Sequence, residues 1–184
     1  VDPELPRKAQ QGRYSDIAPC LSCLNCVHRG VLRDTPITCS VNPALGRESE
    51  LRLTPAAVVR HVAVVGGGPA GLEAARVAAS RGHRVTLIHD GEKLGGQFRL
   101  AGAAPRKESF LAWLDYMTLQ LARHEVCVRL GTEASANLIA ELEPDVLLVA
   151  SGPLGAPCRG AVSAPAGRII RLQDALAGRA EIGA

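Results

Sequence analysis

Cys20, Cys23 and Cys26 lie in the run Cys-Leu-Ser-Cys-Leu-Asn-Cys, and after twelve intervening residues stands Cys39. Thiolates in this density bind soft metals. A cubic 4Fe–4S cluster takes one thiolate per iron, so three cysteines in a tight loop hold three corners and a later one closes the cage. The first three match the opening of bacterial ferredoxin runs, while the fourth stands outside ferredoxin spacing. A structural zinc is the alternative, but zinc sites usually draw on two separated cysteine or Cys/His pairs. The remaining cysteines, Cys127 and Cys158, stand apart and read as a small buried hydrophobe and a loop thiol. His28, Arg29 and Arg33 flank the run and would raise a cluster's potential by adding positive charge, although solvated surface is the ordinary role of such residues.

A second chemical signal follows. Gly66-Gly67-Gly68-Pro69-Ala70-Gly71 has the G-x-G-x-x-G spacing that cradles a dinucleotide. Gly66 permits the tight turn out of a strand, Gly68 lets the backbone approach a pyrophosphate, and Gly71 lets the helix pack close to the strand. The helix start offers unpaired N–H groups and the positive end of its dipole to phosphates. The next strand should end in an acid that receives the adenosine ribose hydroxyls. By register that position is His89, followed by Asp90. A neutral imidazole accepts a single hydrogen bond where a carboxylate takes both hydroxyls. Asp90 takes over only if the strand end bulges. Arg81 and Arg84 would favour a 2′-phosphate, against the commoner role of arginines at a helix end as solvated surface.

The elements that must position these residues are legible in the hydrophobic pattern. Residues 61–65, His-Val-Ala-Val-Val, form a nearly continuous apolar run, as a buried parallel strand requires. Pro69 suits the first helical turn, small residues follow to Ala79, and Gly82 stops the helix. Residues 84–88 read as the second strand, giving a unit of βαβ size. Phe110, Trp113, Leu114, Met117 and Leu121 fall at helical spacing and read as a core stripe. Residues 126–130 and 145–150 read as strands, with a short helix over 137–142. The segment from Leu172 reads as a helix running out into a turn. Upstream, residues 1–16 are polar and read as a linker or as an element cut from something earlier. Thr54-Pro55 reads as a helix start within a connector. The alternation predicts an α/β fold: a Rossmann-like doubly wound nucleotide-binding domain, incomplete at its end, preceded by an irregular cysteine-rich segment. The expected division is 1–18, 19–59 and 60–184.

Bulk properties narrow the function. The chain has 184 residues, is 47% hydrophobic and carries a net charge of +3, so it can bury a core and lacks the charge of a nucleic-acid or membrane-surface binder. Aromatic residues make up only 3%, which argues against stacking platforms. No apolar run is long enough to span a membrane, and the polar start has no signal-peptide core. The cysteine usage points to the reducing cytoplasm.

Taken together, several short motifs resemble one family. They are Asp2-Pro3, Leu5-Pro6, Lys8-Ala9, Gly12-Arg13, Asp16-Ile17, the four cysteines, Val41-Asn42-Pro43, Gly46-Arg47-Glu48, the glycine loop and Gly95-Gly96-Gln97. The chain resembles the iron–sulfur flavoenzymes related to trimethylamine dehydrogenase and bacterial 2,4-dienoyl-CoA reductase. The resemblance implies that Cys20, Cys23, Cys26 and Cys39 carry a 4Fe–4S cluster. It implies that Gly66, Gly68 and Gly71 hold a pyrophosphate, with Gly95, Gly96 and Gln97 lying along FAD or ADP. Ala150-Ser151-Gly152 resembles the Ala-Thr-Gly turn found late in such domains. The resemblance also implies an upstream barrel carrying FMN and the substrate site, so that this chain is a piece of a longer protein without catalytic residues of its own. Electrons would pass between FMN, the cluster and a second carrier, with an electron-transfer flavoprotein or NAD(P)H as partner. Two residues between the second and third cysteines, rather than three, incline the reading toward the amine dehydrogenase branch. An NAD(P)H-dependent enoate reductase is the alternative. The departure at His89 suits a site that holds ADP rather than a working FAD.

Overall fold

A computed structural model describes residues 1–152. The calls on Cys158, on the helix from Leu172 and on the end of the nucleotide domain lie outside the described residues.

A parallel sheet of four strands forms the centre, in the order β3-β2-β1-β4. Strand β1, His61–Val65, pairs on one side with β2, Arg84–Ile88, and on the other with β4, Val146–Val149. Strand β3, Cys127–Arg129, adds to the outer edge of β2. Four helices connect these strands: α3 (Pro69–Ser80) joins β1 to β2, α4 (Gly96–Gly102) and α5 (Glu108–Arg123) join β2 to β3, and α6 (Ala136–Leu142) joins β3 to β4. Parallel crossovers are right-handed. The first two therefore place α3 and α5 on one face, and the reversal from β3 to β4 sends α6 to the other.

The core lies under α3 and α5. Leu72 and Ala75 from α3 and Trp113, Leu114, Met117 and Leu121 from α5 pack on Val62, Val64, Val85 and Leu87. The expected stripe thus faces the sheet, with Phe110 partly buried at its edge. Gly82, at φ +91, ends α3 as the sequence indicates. The order β3-β2-β1-β4 places β1 and β4 side by side, with the crossover out of β1 and the crossover into β4 running in opposite directions, and ligands of such sheets sit beyond the carboxyl ends of the strands at that point.

The polar start is an ordered element rather than a linker. Helix α1, Leu5–Gln10, and a 3-10 turn at Tyr14–Asp16 bring Asp16 against α5. Asp16 is buried and receives hydrogen bonds from Arg13 Nε at 2.8 Å and from Arg123. Burial raises its carboxyl pKa, but the hydrogen bonds from Arg13 and Arg123 outweigh that and hold it below the ordinary carboxylate value. The expected helix start at Thr54-Pro55 is not one. The chain there is irregular and tied to the end of α3: Ala56 N–H donates to the Arg81 carbonyl at 2.9 Å and Arg81 Nε donates to the Thr54 carbonyl at 3.0 Å. Cys127 is exposed on β3 and not a buried hydrophobe, because β3 is an edge strand whose outer side carries no neighbour among the described residues.

Candidate functional site: a glycine-floored cleft and a cysteine loop

A cleft of about 610 Å3 opens at the carboxyl ends of the strands. Its floor is the turn after β1. Gly66 adopts φ +110, and a Cβ there would stand 2.2 Å from the Ala150 carbonyl oxygen. A Cβ on Gly71 would stand 1.8 Å from the Gly66 oxygen, so α3 can approach the strand only through glycine. Gly68 is the N-cap of α3, and a Cβ on it would meet nothing within 4 Å. That space is open on the cleft side. Among the described residues no side chain caps this helix, so its first N–H groups and dipole are available to an anion.

The other walls come from distant sequence. Gly95 N–H donates to the Gly67 carbonyl at 2.7 Å, which ties the Gly95-Gly96-Gln97 turn to the glycine loop. Phe98 lines the cleft and anchors α4 on α5, its ring stacked 4.5 Å from Phe110 and edge-on to Trp113. Of the sequence-predicted residues, Gly66, Gly67, Gly68, Pro69, His89, Asp90, Gly96 and Gln97 line the cleft. Gly71 and Gly95 are buried in its support and Ala70 lies exposed on the first turn of α3. Sequence reasoning missed Thr132, Glu133 and Ala134 after β3 and Phe98 and Ala101 on α4, which also line it. The rule that ligands gather at the carboxyl ends of parallel strands would have drawn attention to the loop after β3.

His89 stands where the ribose-binding acid is expected. Strand β2 keeps regular pairing to its end, Ile88 opposite Val65 and Arg129, so no bulge brings Asp90 inward. The Asp90 side chain is 83% exposed while that of His89 is 11% exposed, and His89 Nδ1 lies 3.1 Å from Asp90 Oδ1. Arg84 starts β2 and Arg81 follows α3, so both sit at the end of the sheet away from the cleft. Among the described residues no lysine or arginine lines the cleft.

The cysteine loop precedes this unit. Cys20, Cys23, Cys26 and Cys39 are all free thiols, the first three exposed and Cys39 half-buried. Cys26 sits in a single turn, α2 (Asn25–Val27), that runs on as a π-helical turn over His28–Leu32. Two side-chain contacts tie the segment around Cys39 to the first loop. Asn25 Nδ2 donates to Thr38 Oγ1 at 2.8 Å, and Ser40 Oγ stands 3.4 Å from Cys23 Sγ, so both neighbours of Cys39 are fastened to the first loop. Ser22 N–H donates to Cys20 Sγ at 3.3 Å and Val41 N–H to Cys39 Sγ at 3.4 Å. The Ser40 contact, followed by the backbone N–H of Asn25, draws the Cys23 thiol pKa down, toward the ligating thiolate. Ser22 and Leu24 both hold left-handed backbone, at φ 52 and 57, which costs energy in non-glycine residues and coils the loop around its sulfurs. Arg29 braces the loop through the Pro36 carbonyl at 3.1 Å, whereas His28 and Arg33 are exposed.

Among the described residues no three His, Cys, Asp or Glu side chains form a group that could hold one metal ion. What favours an iron–sulfur cluster over the separated pairs of a zinc site is the spacing, three cysteines within seven residues.

A parallel sheet with an uncapped, glycine-floored helix start at its switch point defines a dinucleotide-binding unit of the flavoprotein type, and residues 61–142 match the family described as FAD dependent oxidoreductase. The chain is 43% identical over 156 residues to an NADH oxidase of Thermoanaerobacter brockii, covering 83% of this chain and 24% of that protein. It superposes on a 2-naphthoyl-CoA reductase in complex with 2-naphthoyl-CoA with a TM-score of 0.90 at 34% identity, over 99% of this chain and 28% of that one. A 6-hydroxypseudooxynicotine amine oxidase from Pseudomonas geniculata N1 gives a TM-score of 0.85 at 31% identity, over 97% of this chain and 29% of that one. The chain belongs to the family of flavoprotein oxidoreductases related to trimethylamine dehydrogenase and bacterial 2,4-dienoyl-CoA reductase. It spans about a quarter of the length of the curated relatives it matches. No helix among the described residues is long and apolar enough to cross a membrane.

Proposed function

We propose that this chain is the electron-transfer part of a larger iron–sulfur flavoprotein oxidoreductase. Cys20, Cys23, Cys26 and Cys39 hold a 4Fe–4S cluster, and the cleft holds the ADP moiety of FAD, or ADP itself. The observation that carries the reading is the cysteine loop. Four free thiols, three of them touched by N–H or O–H groups, lie on one coiled segment directly ahead of a dinucleotide cleft.

Bound there, the cluster supplies one-electron transfer and the flavin joins it to two-electron chemistry. The protein's own contribution is placement. Gly66 and Gly71 let the helix start come close enough to meet a pyrophosphate with main-chain N–H groups, and the clamp of Asn25 on Thr38 closes the thiolate set. The chemistry on substrate belongs to a flavin-bearing part outside this chain, and either an amine or an unsaturated acyl thioester suits the relatives, which include an amine oxidase and a CoA-thioester reductase.

Anaerobic reconstitution with iron and sulfide tests this. The expected result is about four irons per chain, a broad band near roughly 400 nm and an EPR signal on reduction. Cys20→Ser and Cys39→Ser should each abolish the signal. One zinc per chain without colour would sink the electron-transfer reading.

A further inference from the structure

A second cavity, of about 560 Å3, shares no lining residue with the cleft. It opens where the N-terminal segment and the stretch after Cys39 meet α3 and α5. Its carboxylates are already engaged. Asp2 Oδ2 receives Lys8 Nζ at 2.7 Å and the Ala18 N–H at 2.9 Å, and its Oδ1 receives the Glu4 N–H at 3.0 Å. Both Glu73 oxygens receive Arg76, at 2.7 and 2.8 Å, and Arg7 holds Glu4. Its donors are not engaged. Arg52, Trp113 and Tyr116 all line the cavity, and among the described residues the guanidinium, the indole N–H and the phenol hydroxyl have no hydrogen-bond partner. The Tyr116 hydroxyl lies within reach of the charges on this wall: burial raises its pKa, Arg76 opposes that, and Asp2 and Glu73 add to it. It therefore stays a hydrogen-bond donor at neutral pH.

We propose that this cavity binds a small organic anion, a carboxylate carried on a single apolar ring, whose oxygens accept the hydrogen bonds that Arg52 and Tyr116 leave unused. The sign of the ligand follows from the charges. Lys8, Arg7 and Arg76 neutralise Asp2, Glu4 and Glu73, which leaves Arg52 as the unpaired charged side chain of the wall. A cationic ligand would face Arg52 and find every carboxylate taken, whereas a carboxylate gains charge-assisted hydrogen bonds there. Val41, Leu53, Trp113 and Met117 supply apolar lining for the ring, and the volume lies in the range of small-molecule sites. The site uses neither the cleft nor a thiol, so it stands apart from the nucleotide and cluster readings above.

Trp113 is the chain's single tryptophan, so its fluorescence reports on this cavity. Titration of the full chain, at low micromolar concentration, with benzoate and with neutral benzamide of the same shape tests the proposal. Benzoate should change the emission with a Kd of about 1 mM or below and bind at least about tenfold more tightly than benzamide, a gap that charge-assisted hydrogen bonds supply. Arg52→Met should lose about tenfold of the benzoate affinity and leave that for benzamide unchanged, and Tyr116→Phe should lose about threefold. Arg52 is exposed, so its replacement should leave the fold intact, which circular dichroism checks. ADP should not displace benzoate. Equal affinity for benzoate and benzamide, or an unaltered benzoate affinity in Arg52→Met, would overturn the anion assignment. Displacement of benzoate by ADP would put it in the cleft and overturn the site, as would a flat titration to about 10 mM.

Discussion

The Ser40 hydroxyl, 3.4 Å from Cys23 Sγ, is the sulfur contact in the cysteine loop that a side-chain change can remove, since those to Cys20 and Cys39 come from main-chain N–H groups. Against a ligating thiolate the hydroxyl must be the donor. Hydrogen bonds to cluster sulfurs stabilise the more negative, reduced state and raise the reduction potential. Ser40→Ala should therefore lower the potential of the reconstituted cluster by about tenfold in its reduction equilibrium, ~59 mV for one electron, while Ser40→Thr keeps it near wild type. An EPR-monitored redox titration reads the shift directly, and an unchanged midpoint would mean the hydroxyl does not donate to the cluster. The cysteine spacing was legible in the sequence, but Ser40 was not. Nothing in the pattern tells that a hydroxyl beside Cys39 meets a sulfur seventeen positions away; that depends on how the loop runs through the left-handed residues Ser22 and Leu24.

The same limit operates on elements. Strands β1, β2 and β4 were legible as short apolar runs and helices α3 and α5 by a 3.6-residue period, the marks of elements that pack in a parallel sheet and against it. The N-terminal segment carries no such pattern, because polar contacts hold it. Lys8 Nζ donates to Asp2 at 2.7 Å and to the Asp16 carbonyl at 2.9 Å, and Asp16 joins the segment to α5 through Arg123 and Gln120. Hydrogen bonds between residues a hundred positions apart leave no local periodicity. Asp16→Asn should accordingly destabilise the fold by about 2 kcal/mol at pH 7, the cost of weakening a charge-assisted buried network. The pH dependence has a definite sign. Asp16 has a folded-state pKa lowered from its ordinary value, so its stabilisation is complete above the unfolded value of about 3.9 and is lost as pH falls through the folded one. Asp2, also lowered, adds in the same direction: burial raises its pKa, but Lys8 and the Ala18 and Glu4 N–H groups outweigh that. Urea unfolding should show wild type and Asp16→Asn well separated at neutral pH and converging in acid; a constant gap across that range would remove Asp16 as the titrating clamp.

At the scale of the molecule, one face of the sheet is covered by α3 and α5 and much apolar surface elsewhere is not. Leu24, Val31 and Leu32 around the cysteine loop are 66%, 74% and 71% exposed, and Val149 on β4 is 70% exposed. A net charge of +3 on 184 residues provides little repulsion against association. An exposed apolar cluster and an exposed strand edge are each a surface that pairs with another copy when nothing else covers it. The chain on its own should therefore associate as its concentration rises toward about 100 μM, a range in which such surfaces aggregate. The two patches are separable by mutation. Val31→Glu with Leu32→Lys removes apolar contact at the cysteine loop and leaves the sheet intact, whereas Val149→Lys places a charge on the edge strand. If the loop governs association, the double variant should run as a monomer in light scattering while Val149→Lys still associates, and the reverse result would assign it to the edge. A wild-type chain that stays monomeric throughout would show that this surface is tolerated in water.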